Sequence, residues 1–95
     1  MPYATVTHSR TTTMQEYRTV HAALGDDRPD GLLFSVVGQS EAGMHFVDVW
    51  ATQADADRFV AERLYPAFQR TGVKPNEEDM HVEFVVDVYA APSVA

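Results

Sequence analysis

The sequence predicts an α+β fold whose elements follow the order strand, helix, strand, strand, helix, strand. Two segments have a helical repeat: Met14, Tyr17, His21 and Leu24 recur at helical intervals in the first, and Ala56, Phe59, Val60, Leu64, Ala67 and Phe68 form an apolar stripe in the second. The intervening segments are short, rich in β-branched and aromatic residues, and bounded by turn formers, which suits strands rather than helices. With 95 residues the chain has material for one core, so residues 1–95 are expected to form one domain.

Tyr3 to His8 is the first expected strand, followed by the polar run Ser9 to Thr13. Thr13 and Glu16 have the spacing of a capping box, so a helix is expected over 14–24, with Gly25 as its left-handed stop. The cluster Asp26-Asp27-Arg28-Pro29-Asp30-Gly31 is a turn, and Leu32 to Val37 is the second strand. Gly38 to Gly43 is expected to be a hairpin loop leading into a third strand, Met44 to Trp50, antiparallel to the second. Thr52, with Asp55 three residues on, caps a second helix that runs to Gly72. Pro66 lies inside it and removes a backbone donor, so a bend is expected near Tyr65. Met80 to Tyr89 is the fourth strand, with Val82, Phe84, Val86 and Val88 on one face.

That order is the ferredoxin-like split βαβ, a four-stranded antiparallel sheet with both helices on one face. The other face is left open. Leu33, Val37, Val47, Val49 and Val85 are expected to make it apolar, which predicts a homodimer through the open sheet face. Cysteine is absent, so neither disulfides nor thiolate chemistry can contribute, and association is the remaining way for so small a domain to bury more surface. The net charge of −7 argues against nucleic acid as a partner. The start of the chain has no apolar signal core, and no stretch reaches the roughly 20 apolar residues of a membrane helix, so no membrane partner is expected and the cytoplasm follows by default.

Phe46, Asp48 and Trp50 alternate along the third strand and therefore share a face. A carboxylate withdrawn from water gains basicity and can act as a general base beside an indole that stacks an aromatic ligand. Equally, Asp48 can pair with an arginine or sit at a dimer contact, and Trp50 can be plain core. His21, on the apolar stripe of the first helix, is the best acid–base candidate among the histidines, although such a residue also fits a rim position. Tyr17 and Tyr65 can donate to a ligand oxygen. His8, His45 and His81 are brought toward one end of the sheet by this topology, and three imidazoles suit zinc or copper; three separate surface residues are the plainer expectation, and no metal is assigned. No glycine-rich phosphate loop or serine nucleophile motif occurs.

Gly31-Leu32-Leu33-Phe34, Val47-Asp48-Val49-Trp50 and Arg63-Leu64-Tyr65-Pro66-Ala67 are the stretches on which the chain resembles small dimeric α/β-barrel proteins related to antibiotic biosynthesis monooxygenases. The resemblance spans nearly the whole chain. It implies two sheets closed against each other and a ligand cavity between the helices and the sheet of each subunit. Some members of that superfamily oxidise polyketide-like phenols with molecular oxygen and no cofactor. Others degrade haem, or act as non-redox isomerases, decarboxylases or cyclases. The chain has Phe46 where quinone-forming members carry Asn, no histidine in the second helix where the haem-degrading branch ligates iron, and Ser35 and Asp87 where many relatives have His.

The expectation is therefore a cofactor-independent, monooxygenase-like tailoring enzyme for an aromatic or polyketide-type molecule. Asp48 or His21 would be the catalytic base, and Trp50, Tyr17, Phe34, Phe46, Phe59 and Tyr65 would hold the substrate. A non-redox cyclase or isomerase, and a non-catalytic small-molecule-binding protein, are the alternatives.

Overall fold

The residues Tyr3-Ala4-Thr5-Val6-Thr7 send successive side chains to opposite sides of an extended strand. That strand, β1 (Tyr3–Ser9), lies inside the sheet. The structure, a computed structural model, describes residues 1–25 and 27–88. It pairs β1 with both β3 (Gly43–Trp50) and β4 (Met80–Val85), while β2 (Leu32–Ser40) flanks β3. The sheet is antiparallel with the order β2-β3-β1-β4, the ferredoxin-like arrangement expected from the element order.

Helix α1 (Met14–Leu24) begins as the sequence predicts. The Glu16 backbone N–H donates to Thr13 Oγ1 at 3.1 Å, and the Thr13 N–H donates to Glu16 Oε1 at 3.0 Å. Its other end is closed less simply. Gly25 has φ 87° with ψ 178°, so it turns the chain away in an extended conformation rather than a left-handed helical one. The carbonyls left without intrahelical donors are met by arginines from the second helical segment: Arg70 Nη2 donates to Ala23 O and Arg63 Nη2 to Leu24 O, each at 2.8 Å. Cations here also complement the negative end of the helix dipole.

The second helical segment comprises α2 (Gln53–Phe59), a π-helical turn (Val60–Leu64) and α3 (Tyr65–Thr71). The residues at both junctions, Val60 and Tyr65, keep right-handed helical dihedrals, so the axis is continuous. In place of the bend expected near Tyr65 there is a π-helical turn: the Tyr65 N–H reaches back to Val60 O, a spacing of five residues, just before the residue that cannot donate.

The hairpin between β2 and β3 is tighter than predicted. Gly38, Gln39 and Ser40 continue β2, and Ser40 pairs with Gly43, leaving only Glu41 and Ala42 in the turn. Gly43 has φ 120°, and a Cβ there would collide with the Ser9 carbonyl at the end of β1, so the close start of β3 requires glycine.

Cross-strand register assigns the two faces of the sheet. Tyr3, Thr5, Thr7 and Ser9 of β1 share a side with Trp50, Asp48, Phe46 and Met44 of β3, and with Val85, Glu83 and His81 of β4. The helices cover this side: Phe59 and Ala56 pack on Trp50 and Tyr3, and Tyr17 contacts Phe46. Ala4, Val6 and His8 face the opposite, open side with Val49, Val47 and His45, and with Phe84, Val82 and Met80. Val47 and Val49 are thus on the open side as expected, whereas Val37 and Val85 belong to the helix-covered side and Leu33 lies at a register irregularity between Leu32 and Phe34. Val82 and Phe84 take the open side in place of Val85, while Val86 and Val88 lie beyond the end of β4; Tyr89 is outside the described residues. The inversion on β4 is a one-residue phase shift, which exchanges the faces of a strand completely.

Met44 and Ala67 are fully buried, and Tyr3, Trp50 and Ala56 form a core cluster extended by Leu32 and Phe59. Met44→Ala is expected to cost about 2–5 kcal/mol through lost burial and an unfilled cavity. Thr13→Ala should cost about 1 kcal/mol through the lost cap. Urea denaturation of the two variants checks both values and their order.

Candidate functional site

The helix-covered side of the sheet carries a polar row in its middle. Ser35 of β2 pairs with Asp48 of β3, Asp48 with Thr5 of β1, and Thr5 with Glu83 of β4. On one side of this row Trp50 and Tyr3 belong to the apolar core, and on the other Phe46 packs beneath Tyr17 of α1, with ring centroids 5.8 Å apart. Asp48 is half-buried and pairs with no arginine among the described residues. Burial pushes its carboxyl above the usual carboxylate range, and a hydrogen bond with Ser35 opposes that shift only in part. Ser35 thus orients the carboxylate.

Trp50 is buried, and its ring lies 5.2 Å from that of Phe59. Its indole N–H has no hydrogen-bond acceptor among the described residues. A buried donor left unpaired costs about 1–3 kcal/mol.

A second polar group adjoins the row on β1 and β4. The Tyr3 hydroxyl donates to Glu83 Oε1 at 2.9 Å, His81 Nε2 lies 2.6 Å from Glu83 Oε2, and His81 Nδ1 lies 2.7 Å from Thr7 Oγ1. The His81 hydrogen bond holds Glu83 below its ordinary value, with the Tyr3 hydroxyl acting in the same direction against partial desolvation. Burial, followed by the Glu83 carboxylate, pushes the Tyr3 phenol up. Sequence reasoning did not assemble this chain. The alternation of Tyr3, Thr5 and Thr7 carries part of the signal, but the phase of β4 had to be known before Glu83 and His81 could be added.

The other expected site residues divide. Phe46, Trp50, Phe59 and Tyr17 come together with Asp48 around the helix-covered side. His21 does not point into this space: it is exposed and packs against Tyr17, ring centroids 5.5 Å apart, because it continues the outer edge of the α1 stripe. Phe34 pairs with Val49 and therefore lies on the open side, moved there by the irregularity after Leu32. Tyr65 is exposed, edge-on to Phe68.

The three histidines expected toward one end of the sheet separate as well. His8 and His45 are cross-strand partners on the open side and stack with centroids 4.6 Å apart and planes 2° from parallel. His81 projects from the opposite side, and no group of three or more His, Cys, Asp or Glu suited to a metal occurs among the described residues. A surface pocket of about 200 Å³ lies on the outer side of Phe59, lined also by Arg28, Asp55, Arg58 and Arg63. Its arginines are already committed: Arg28 to Leu32 O, Arg58 to Asp55, and Arg63 to Leu24 O and Asp27 O. Among the described residues no helix is long and apolar enough to cross a membrane.

The two carboxylates of the row predict opposite pH dependences. Between the ordinary carboxylate pKa and the raised native one, native Asp48 binds its proton more readily than the unfolded chain does, so its contribution to stability falls as pH rises through that window. Asp48→Asn should therefore be more stable than the parent near neutral pH, with the gain vanishing in acid. Glu83 contributes stability above its unfolded pKa and loses it as pH falls through the lowered native value. Glu83→Gln should be less stable near neutral pH and equal to the parent in acid. Urea midpoints of the three proteins across this range test both signs.

No protein-family model matches the chain, and no curated protein matches it. Solved structures do. The protein Rv0793 from Mycobacterium tuberculosis is similar over 96% of this chain and 100% of its own, with a TM-score of 0.69 and 12% identity. A candidate antibiotic biosynthesis monooxygenase from Chloroflexus aurantiacus is similar over 94% of this chain and 98% of its own, with a TM-score of 0.60 and 14% identity. SnoaB, a cofactor-independent oxygenase from Streptomyces nogalater, is similar over 93% of this chain and 94% of its own, with a TM-score of 0.61 and 12% identity. With a split βαβ sheet covered by helices on one side, the chain has the fold of the antibiotic biosynthesis monooxygenase-like proteins.

Proposed function

We propose that the protein is a cofactor-independent monooxygenase-like enzyme acting on an aromatic or polyketide-type small molecule between its helices and sheet. The observation that carries this reading is Asp48: a half-buried carboxylate made more basic by burial, oriented by Ser35, and flanked on the same face by Phe46 and Trp50. The fold is compatible with several chemistries, so the weight rests on these side chains.

Asp48 takes a proton from an acidic C–H of the bound substrate, leaving a carbanion delocalised into the ring system. The carbanion is oxidised by molecular oxygen, a C–O bond forms, and the resulting peroxide anion takes up a proton. Loss of water from the hydroperoxide then leaves a carbonyl, so that one CH₂ and one O₂ become one C=O and one H₂O. Phe46 and Phe59 offer ring faces to an aromatic substrate.

Trp50 is the protein's single tryptophan, so its fluorescence reports on this region. Titration with polycyclic phenols and aryl ketones should give saturable quenching, and oxygen uptake should accompany turnover of those that bind. Asp48→Asn should retain the quenching and lose about a hundredfold or more in turnover, the scale of a general base. Undiminished turnover would remove Asp48 from the role.

A homodimer through the open side of the sheet belongs to the same reading. Val36, Met80, Val82 and Phe84 are exposed there, a larger apolar surface than isolated surface residues account for. Sedimentation should report a dimer for the parent protein and a monomer for Val82→Lys.

A further inference from the structure

The chain of hydrogen bonds from Tyr3 through Glu83 and His81 to Thr7 lies outside the base assignment just made, yet it shares the same side of the sheet. Its order has a chemical consequence. The Glu83 carboxylate accepts from the Tyr3 hydroxyl through one oxygen and faces His81 Nε2 through the other, so Nε2 carries the proton of that contact. His81 Nδ1 is then left to Thr7. With a proton on Nδ1 as well, the ring donates to Thr7 Oγ1 and the threonine's own hydroxyl proton is free to point elsewhere.

The register shows what it can reach. Thr5 is directly opposite Asp48, and Thr7 directly opposite Phe46, so Thr7 and Asp48 are diagonal neighbours on adjacent strands. Diagonal neighbours on one face of a sheet are separated by roughly 7–8 Å. That span admits a carbonyl group and its adjacent carbon, with the oxygen at Thr7, the C–H at Asp48 and the ring against Phe46.

We propose that Thr7 is a catalytic proton donor to the carbonyl oxygen of an enolisable aromatic ketone, held in that state by His81 and Glu83 as positioning residues, while Asp48 removes the proton from the adjacent carbon. This rests on the reading of Asp48 as the base and adds an activity that needs no oxygen, keto–enol interconversion. The C–H bond breaks and its proton passes to the Asp48 carboxylate. The electron pair forms the C=C bond, and the carbonyl oxygen takes the Thr7 hydroxyl proton, which His81 Nδ1 replaces. No electron leaves or enters, and the reverse steps restore the ketone. The enol so formed is the electron-rich species that the proposed oxygenation consumes. Opposed displacements of the two carboxyls, Asp48 upward and Glu83 downward, agree with a division into base and donor support.

The experiment is deuterium incorporation from D₂O into the α-carbon of 2-tetralone under argon, followed by NMR with the full chain. The parent should exchange well above buffer. Thr7→Val, which keeps the β-branched shape but lacks the hydroxyl, should lose about a hundredfold, and Thr7→Ser should recover most of it. His81→Gln, which cannot pass a proton to the Thr7 hydroxyl, should slow exchange as far as Thr7→Val does, and Thr7→Ser in that background should recover nothing. The titratable groups about His81 are Glu83 on its own strand and Tyr3 on β1, with Asp57 of α2 acting on Tyr3.

If Thr7→Val exchanges as fast as the parent while Asp48→Asn is slow, Thr7 is not the donor and Asp48 remains the base. If Thr7→Val is slow and Asp48→Asn is not, the donor stands and the base assignment falls. A parent that exchanges no faster than buffer overturns the proposal outright, and oxygen uptake then judges the monooxygenase reading separately. Circular dichroism matched to the parent guards against misfolding of Thr7→Val, and Thr7→Ser gives an independent comparison.

Discussion

The register of β1 between β3 and β4 is the constraint on which the molecule depends. Tyr3 opposite both Trp50 and Val85, and Thr7 opposite both Phe46 and His81, assign each of these side chains to a face in one step. A slip by one residue would put Asp48 and Trp50 on the open side and move Val47 and Val49 under the helices. Gly43 helps hold this register at one end, since its backbone runs against the Ser9 carbonyl where a side chain has no room. The Tyr3–Trp50–Ala56 cluster secures the other end. The polar row is held between these two fixed points, so its side chains occupy a face whose geometry the packing around it maintains.

The helices contribute to the site mainly by covering it. α1 is joined to the second helical segment at its own C-terminus, where Arg63 and Arg70 satisfy the last carbonyls. Those contacts tie the two layers of helix together at one end and bring Tyr17 over Phe46 and Phe59 over Trp50. The π-helical turn before Pro66 keeps the second segment continuous, so Phe59 and Ala67 remain on one connected scaffold. A clean break at the proline would have uncoupled them.

The two carboxyls of the row experience opposite environments for identifiable reasons. Asp48 has desolvation against a single hydroxyl, while Glu83 has an imidazole and a phenol as hydrogen-bond partners and is more open to water. Such a pair can divide proton removal and proton delivery at the same pH, which two equivalent carboxyls cannot do. It also makes the site a source of local instability, because the ionised form of Asp48 is maintained against its surroundings.

By itself the sequence determined the elements, because helical periodicity, the Thr13–Glu16 cap, the β-branched strands and the turn clusters are local signals that packing had no reason to override. It also determined that Phe46, Asp48 and Trp50 share a face, since alternation within one strand is a property of that strand alone. Tertiary structure decided the phase and register of one strand against the next. His8 and His45 were brought together as partners, while His81 was sent to the other side by the phase of β4. Phe34 was turned to the open side by the irregularity after Leu32, and His21 was left on the surface because α1 turns Val20 rather than His21 into the protein. Thr7, His81, Glu83 and Tyr3 have no motif in common and lie up to 80 positions apart in the chain. They become one hydrogen-bonded group only because the first and last strands are neighbours, and strand pairing at that separation is settled by the whole fold rather than by any local run of residues.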